Sequence, residues 1–436
     1  MDMKYPKDVR LRQPDRKQMR MESLCPDDLI PADHPARTIW AAVEKLDLSK
    51  FYVGIQSLPG KAGRDATDPR LLVALWLYAC TRGIGSAREL SRLCQESAPY
   101  RWLCGGVSVN HHSLSDFRVS HAEALDELFT QVLAILCHRK LVTVERISQD
   151  GTRVRACAGA SSYRRRASLE KLLKEARAHV QSLRALLDDP AASASLSARQ
   201  AAARQRAARQ REERLAQALE QLPVLEARQE KLAKKVSKKD KQAGKLKAPR
   251  VSTTDAQARV MKMGDGGYRP AVNVQFATDT QSRAIVGVAV TDQGVDTEQA
   301  PPMREQVEQR TGQTVREHLV DGGYLKLDEI DQAAARDVTM YVPPKPPRNQ
   351  DQRRSEYEPR PTDSQAVRAW RERMGSPAGQ EIYRQRASTV ETVNADLKTH
   401  RGLGQMTVRG LGKARCVALW CALAYNLLHF GQYIVG

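Results

Sequence analysis

Three acidic residues stand where a divalent cation could be held. Two of them share a local pattern, an apolar or β-branched run, then aspartate, then glycine. The run Leu141–Gln149 leads into Asp150 and Gly151, and Thr314–Val320 leads into Asp321, Gly322 and Gly323. An acid at the C-terminal end of a buried strand, followed by glycines that let another group approach, is a common layout for a catalytic carboxylate in an open α/β sheet. The tetrapeptide DGGY at 321–324 also occurs at 265–268. There it follows Met263 and Gly264 and precedes an apolar run, so Asp265 reads as the turn that opens a strand. Two acids on adjacent strand ends can hold one divalent cation. A third on a flanking helix lets two metals sit about 4 Å apart and clamp the attacking and leaving oxygens of a phosphodiester.

The segment EIYRQRASTVETVNADLKTHRG (381–402) offers the third acid in Glu391. Lys398 lies seven residues on and shares its helical face, placing a cation near a scissile phosphate, and Tyr383 and Arg386 precede it. A local alternative competes, because Ser388 to Glu391 also spells a capping box in which the glutamate only closes a helix start. Asp150 and Asp321, each taken alone, also read as turn aspartates. Their joint order along the chain favours a site.

The elements that must position these acids are legible in outline. Residues 1–140 read as helical, with three-to-four spacing in 69–80, 86–94 and 122–137 and a polar turn with a cap at 109–118. Strand texture begins at Leu141. From Arg164 to Arg250 two leucine stripes, 169–187 and 215–236, flank a break at Asp189–Pro190 and predict a helical hairpin or coiled-coil insertion. Strands resume at 269–279 and 284–292 as a hairpin. A helix over 297–310, the strand to Val320, a helix over 325–335, a short strand at 339–344 and helices at 366–374, 380–400 and 413–430 follow. This order predicts an α/β mixed sheet with helices on both faces. The organisation is an N-terminal all-α domain for DNA binding or dimerisation (1–140), a core from 141–163 and 251–412, a basic helical insertion (164–250) and a C-terminal helix packing on the core (413–436).

Composition narrows the partner. The 436 residues carry a formal charge of +19, a field that favours a polyanion. The insertion holds 23 Lys and Arg against 10 Asp and Glu, which favours a nucleic-acid contact through residues such as Lys234, Lys235, Lys238 and Lys239 over a merely solvated face. The run 416–425 is too short to span a membrane and reads as a buried helix. The N-terminus lacks the apolar core of a signal peptide, and the eight cysteines form no C-x-x-C pair. These features predict reduced thiols, no zinc site and a cytoplasmic, nucleoid-associated protein.

The segments SQDGTRV, STTDAQARVMKMGDGGYRPAVNVQFATD, HLVDGGY, and YRQRASTVETVNADLK followed by RGLGQMTVRG together resemble the DDE transposases of bacterial insertion sequences. Within these the chain most resembles the eleven-eighty-two-like group of the wider family with a tyrosine–arginine–glutamate–lysine signature. The resemblance covers most of residues 60–430. It implies a ribonuclease-H-like core, with Asp150, Asp321 and Glu391 as catalytic acids holding two Mg²⁺ or Mn²⁺ ions. Tyr383, Arg386 and Lys398 match the signature residues that contact the transposon end. The implied partners are terminal inverted repeats, target DNA and a second copy of the chain. The implied reaction is end cleavage and joining of the 3′-hydroxyl to target DNA. One departure stands out. Four residues separate Arg386 from Glu391 where the signature has three, so Arg384, seven before Glu391, is an alternative on an unbroken helix. Other readings are a metal-dependent nuclease that does not join, a transposon-derived DNA-binding protein that no longer cuts, and a coiled-coil scaffold.

Overall fold

The computed structural model describes residues 17, 19, 25–57, 65–188, 197–235, 248–346 and 355–436. Helices come first: α1 (Pro35–Lys45), α2 (Ser49–Tyr52), α3 (Pro69–Thr81), α4 (Ala87–Glu96), α5 (Ala98–Cys104), α6 (His111–Ser120) and α7 (Ala122–His138). α3 is apolar on nearly every side and is buried almost throughout, as a helix at the centre of a bundle must be. The segment expected as a polar turn at 109–118 is instead α6. Its cap is real, since Asn110 Oδ1 accepts from the Ser113 N–H at 2.9 Å, but Leu114, Phe117 and Arg118 form a buried helical face behind it.

The sheet begins with β1 (Arg146–Arg155). The short β2 (Tyr163–Arg164) leads into α8 (Arg166–Asp188) and α9 (Ala198–Lys235), after which β3 (Val251–Ser252) closes on β2. Then come β4 (Arg259–Lys262), β5 (Tyr268–Asp279), β6 (Ile285–Thr291), α10 (Ala300–Thr311), β7 (Glu317–Leu319), α11 (Leu327–Ala334), β8 (Thr339–Tyr341), α12 (Gln365–Gly375), α13 (Pro377–Arg386), a π turn (Ala387–Glu391), α14 (Thr392–His400) and α15 (Leu411–Val435). In space the sheet runs β6–β5–β1–β7–β8, and β4 continues the β6 side of β5. β5 is antiparallel to β1 and β6, whereas β7 and β8 run parallel to β1. This is the mixed sheet expected from the order of elements.

α15 joins the parts. It packs on α1, α3, α6, α7 and β6, so the N-terminal helices and the sheet share one apolar core. Asn426, which interrupts its apolar run, is fully buried because its amide accepts from the Ile285 N–H and donates to the Ile285 C=O, both at 2.9 Å. Among the described residues no helix is long and apolar enough to cross a membrane.

α8 and α9 form an antiparallel hairpin. Leu169, Leu173 and Ala176 pack against Leu215, Ala218 and Leu222, and Arg166 pairs with Glu226 at 2.6 Å. The break at Asp189–Pro190 and the lysine-rich stretch 236–247 lie outside the described residues. The root of the hairpin is tied to the sheet. Asp292, just past β6, accepts from Arg228 of α9 at 2.9 Å and from Arg259 of β4 at 3.0 Å.

Candidate active site

The reading of Asp150 as a strand-end residue needs correction. β1 continues through Gly151 to Arg155, because the twelve-residue β5 offers it an antiparallel ladder along that whole length, with Asp150 opposite Phe276. What ends near Asp150 is the ladder on the other edge. β1 and β7 pair in parallel only from Arg146–Glu317 to Ser148–Leu319. Extending that register by two residues sets Asp150 level with Asp321, in the gap where the strands part. Asp321 does sit at a strand end. Its Oδ1 accepts from the Gly323 N–H at 2.7 Å and caps the one-turn helix Gly322–Tyr324.

Glu391 is not a helix-start residue. The chain is helical from Pro377 to His400, so the capping box is not formed, and the Ser388 hydroxyl donates back to the Gln385 C=O. A π turn over Ala387–Glu391 interrupts the α-helix. A π turn accommodates one extra residue, and such bulges recur at functional sites. Here it absorbs the residue by which this chain departs from the signature spacing, so Arg386 and Glu391 come to one face despite lying five apart. Arg386 Nη1 donates to Glu391 Oε1, and Nη2 lies 2.9 Å from Asp150 Oδ1. Asp150 and Glu391 are thus within the span of one buried guanidinium. Arg384 is excluded from that face: it is exposed and pairs with Glu381.

The remaining candidates divide. Tyr383 is half-buried beside Ile382 and within electrostatic reach of Asp321, Glu391 and Asp150. Lys398 is exposed, within reach of Asp150 and Arg153. Asp265 is an exposed turn residue between β4 and β5, as expected, bonded to the Gly267 N–H and paired with Arg269. Lys238 and Lys239 lie outside the described residues, as do the side chains of Lys234 and Lys235 at the end of α9. Two neighbours escaped sequence reasoning. Asn394, three residues after Glu391, donates to Asp150 Oδ2 at 3.1 Å. Asp296 lies buried across β1 from Asp150. Its signal was the pair Asn273 and Gln275, polar at alternate positions of an otherwise apolar strand, which require a buried partner.

Burial pushes the Asp150 carboxyl up to about 6; Arg386 opposes the rise and the charge of Asp321 adds to it. Its native pKa therefore lies above the unfolded value of about 3.9. The folded metal-free protein holds this proton more tightly than the unfolded chain. The resulting stability is complete below about pH 4 and is lost as pH rises through about 6, to the extent of about 3 kcal/mol. Urea unfolding of wild type and Asp150→Asn across pH 4–7 checks this. The difference between the two should grow with pH in favour of the variant, and a flat difference would contradict it.

Among the described residues no three His, Cys, Asp or Glu side chains close on one another as a preformed metal cage. The donors nonetheless suit a hard cation. Asp150, Glu391 and Asp321 offer only oxygen, a cationic group already bridges two of them, and Asn394 Oδ1 is buried nearby without a protein partner.

Two family models match the chain. One, described as a transposase DDE domain, covers residues 226–427, and another, described as a transposase domain, covers residues 24–120. Together they span about two thirds of the sequence. The first takes in Asp321, Glu391 and the strands β4 to β8, which accords with a ribonuclease-H-like sheet, but it begins after Asp150. No curated protein and no solved structure matches the chain.

Proposed function

Because the chain belongs to the DDE transposases of insertion sequences, enzymes that cleave and transfer DNA, we propose that Asp150, Asp321 and Glu391 form its catalytic centre. The reaction is cleavage at the ends of its own element and joining of the freed 3′-hydroxyl to target DNA. The observation that carries this reading is the convergence of Asp150 and Glu391, 241 positions apart, on the Arg386 guanidinium. Carboxylates gathered on one cation, with Asp321 adding negative potential, suit Mg²⁺ or Mn²⁺, and divalent metals serve the family generally. Two such ions supply positive charge to the transition state and make water a stronger nucleophile.

The chain's own groups do the rest. Asn394 fixes the rotamer of Asp150 through Oδ2, leaving Oδ1 to the Arg386 guanidinium. Arg386 neutralises the two acids in the metal-free protein and turns to the DNA phosphate once they are otherwise engaged. Tyr383 and Lys398, on either side of Glu391, hold the transposon end. In end cleavage water attacks phosphorus and the 3′-oxygen leaves as a hydroxyl. In transfer that hydroxyl attacks a target phosphorus and displaces the target's 3′-oxygen. The N-terminal helices and the basic hairpin contribute DNA binding, and two copies bring two ends together.

Incubating the protein with pre-cut ends of its element, a target plasmid and Mg²⁺ tests the joining step. Joined products are expected. Cutting of uncut ends without joining would instead identify a nuclease.

A further inference from the structure

The two acids Asp150 and Asp321 stand in a gap that no backbone ladder closes, since β1 and β7 cease to pair at Ser148 and Leu319. Something else must fix their separation. Side chains alternate across a strand, so Gly151 faces away from Asp150, toward the side shared by Gln149, Arg153, Gln275 and Asn273. That side holds Asp296, only 4% exposed, from the loop between β6 and α10. Its Oδ1 accepts from Asn273 Nδ2 and Gln275 Nε2, each at 2.7 Å, and its Oδ2 accepts from Arg153 Nη2 at 3.1 Å. Gln275 Oε1 in turn accepts from Gln149 Nε2 at 2.9 Å and from the hydroxyl of Tyr324, the last residue of the turn that begins with Asp321.

The glycines beside the acids take on meaning here. A Cβ at Gly151 would overlap both Asp296 Oδ1 and Gln275 Nε2, and one at Gly323 would lie 3.6 Å from Asp296 Oδ2. The groups that Gly151 admits are therefore the carboxylate of a third aspartate and the Gln275 amide it holds, on the face of β1 away from the Asp150 side chain.

We propose that Asp296 is a positioning residue for the candidate catalytic centre, bracing the Asp150 strand and the Asp321 turn from the back of the sheet. It rests on the reading of Asp150 and Asp321 as metal-holding acids. Asp296 is saturated by two amides and a guanidinium, so it serves as the anchor of the network. Arg153 balances its charge. Through Gln275 the network reaches both strand partners and Tyr324, and so it sets the spacing that the missing ladder leaves open. Partners that orient metal-binding groups typically contribute about 10- to 100-fold in metal affinity.

The experiment measures Mn²⁺ binding by paramagnetic resonance to the full chain without DNA, alongside thermal unfolding and end binding. Asp296→Asn keeps the shape and the acceptor for Asn273 and Gln275 but loses the charge facing Arg153. It is expected to fold, to bind DNA ends as wild type does, and to bind Mn²⁺ roughly 10- to 100-fold more weakly. Tyr324→Phe cuts the same network at its other end without touching Asp296 and should weaken Mn²⁺ binding in the same direction by a smaller factor. Gly151→Ala should reproduce the Asp296→Asn defect. Wild-type Mn²⁺ affinity in folded Asp296→Asn and Tyr324→Phe overturns the proposal. If Asp296→Asn fails to fold, Tyr324→Phe decides alone. Asp150→Asn separates the two layers, because wild-type Mn²⁺ binding in that variant would defeat the metal-acid reading itself, whatever Asp296 does.

Discussion

Asp321→Asn is expected to abolish end cleavage, by roughly three orders of magnitude or more, while leaving DNA-end binding unchanged. An amide has nearly the shape of a carboxylate and can still accept from the Gly323 N–H, so the turn should survive. What it loses is the charge that, on the proposed reading, would hold a cation. A metal supplies several kcal/mol of transition-state stabilisation, and each 1.4 kcal/mol is a factor of ten. The matched control is Asp265→Asn in the other DGGY. That aspartate is exposed and forms a turn contact to Gly267 and a surface ion pair with Arg269. Surface pairs contribute about 1 kcal/mol or less, so cleavage should stay within a few-fold of wild type. Cleavage of labelled ends and a gel-shift titration measure both variants. Equal loss in the two would mean that identical tetrapeptides do identical work, against the burial and strand context that distinguish them.

How much of this was legible follows from which interactions are local. Apolar periodicity disclosed α3, α4 and α7, the β5–β6 hairpin and the buried C-terminal helix, because each reports its own burial. Asp321 was legible as a strand-end acid because its strand is short and ends in glycines. Asp150 was misplaced by the same rule. Gly151 resembles a strand breaker, yet β5 pairs straight through it, and the close approach of Asp296 and Gln275, both far along the chain, explains why glycine is there. The π turn was illegible because Ser388, Thr389 and Glu391 satisfy a capping pattern. What selects the bulge instead is tertiary, the pull of Arg386 toward both Asp150 and Glu391. Asp296 itself looks like any aspartate in a Gly- and Gln-rich loop until Asn273 and Gln275 are seen to need it.

The leucine stripes of the insertion bear on the second large effect. Leu215 and Leu222 are almost wholly buried inside the hairpin by Leu169 and Leu173 of the same chain, which leaves them little surface to offer a second protomer. Among the described residues of the insertion, basic side chains such as Lys171, Lys174, Arg204, Arg209 and Lys231 are exposed. Replacing Lys231, Lys234, Lys235, Lys238 and Lys239 with glutamine is therefore expected to weaken DNA binding at low salt and to flatten the plot of log affinity against log salt by about two units or more. Each phosphate contact contributes roughly 0.9 to that slope, so two units correspond to fewer than half of the five lysines touching phosphate. Cleavage at saturating protein should persist, since none of the proposed catalytic acids is altered. If the hairpin served instead to pair protomers, the glutamine variant would keep the wild-type slope, and changing Leu215, Leu219 and Leu222 to serine would yield folded monomers. With these leucines packed inside the hairpin, the serine variant should rather unfold the hairpin. Salt titration of the first variant and sedimentation of the second separate the two roles, and an unchanged slope in the lysine variant would remove the hairpin from the DNA interface.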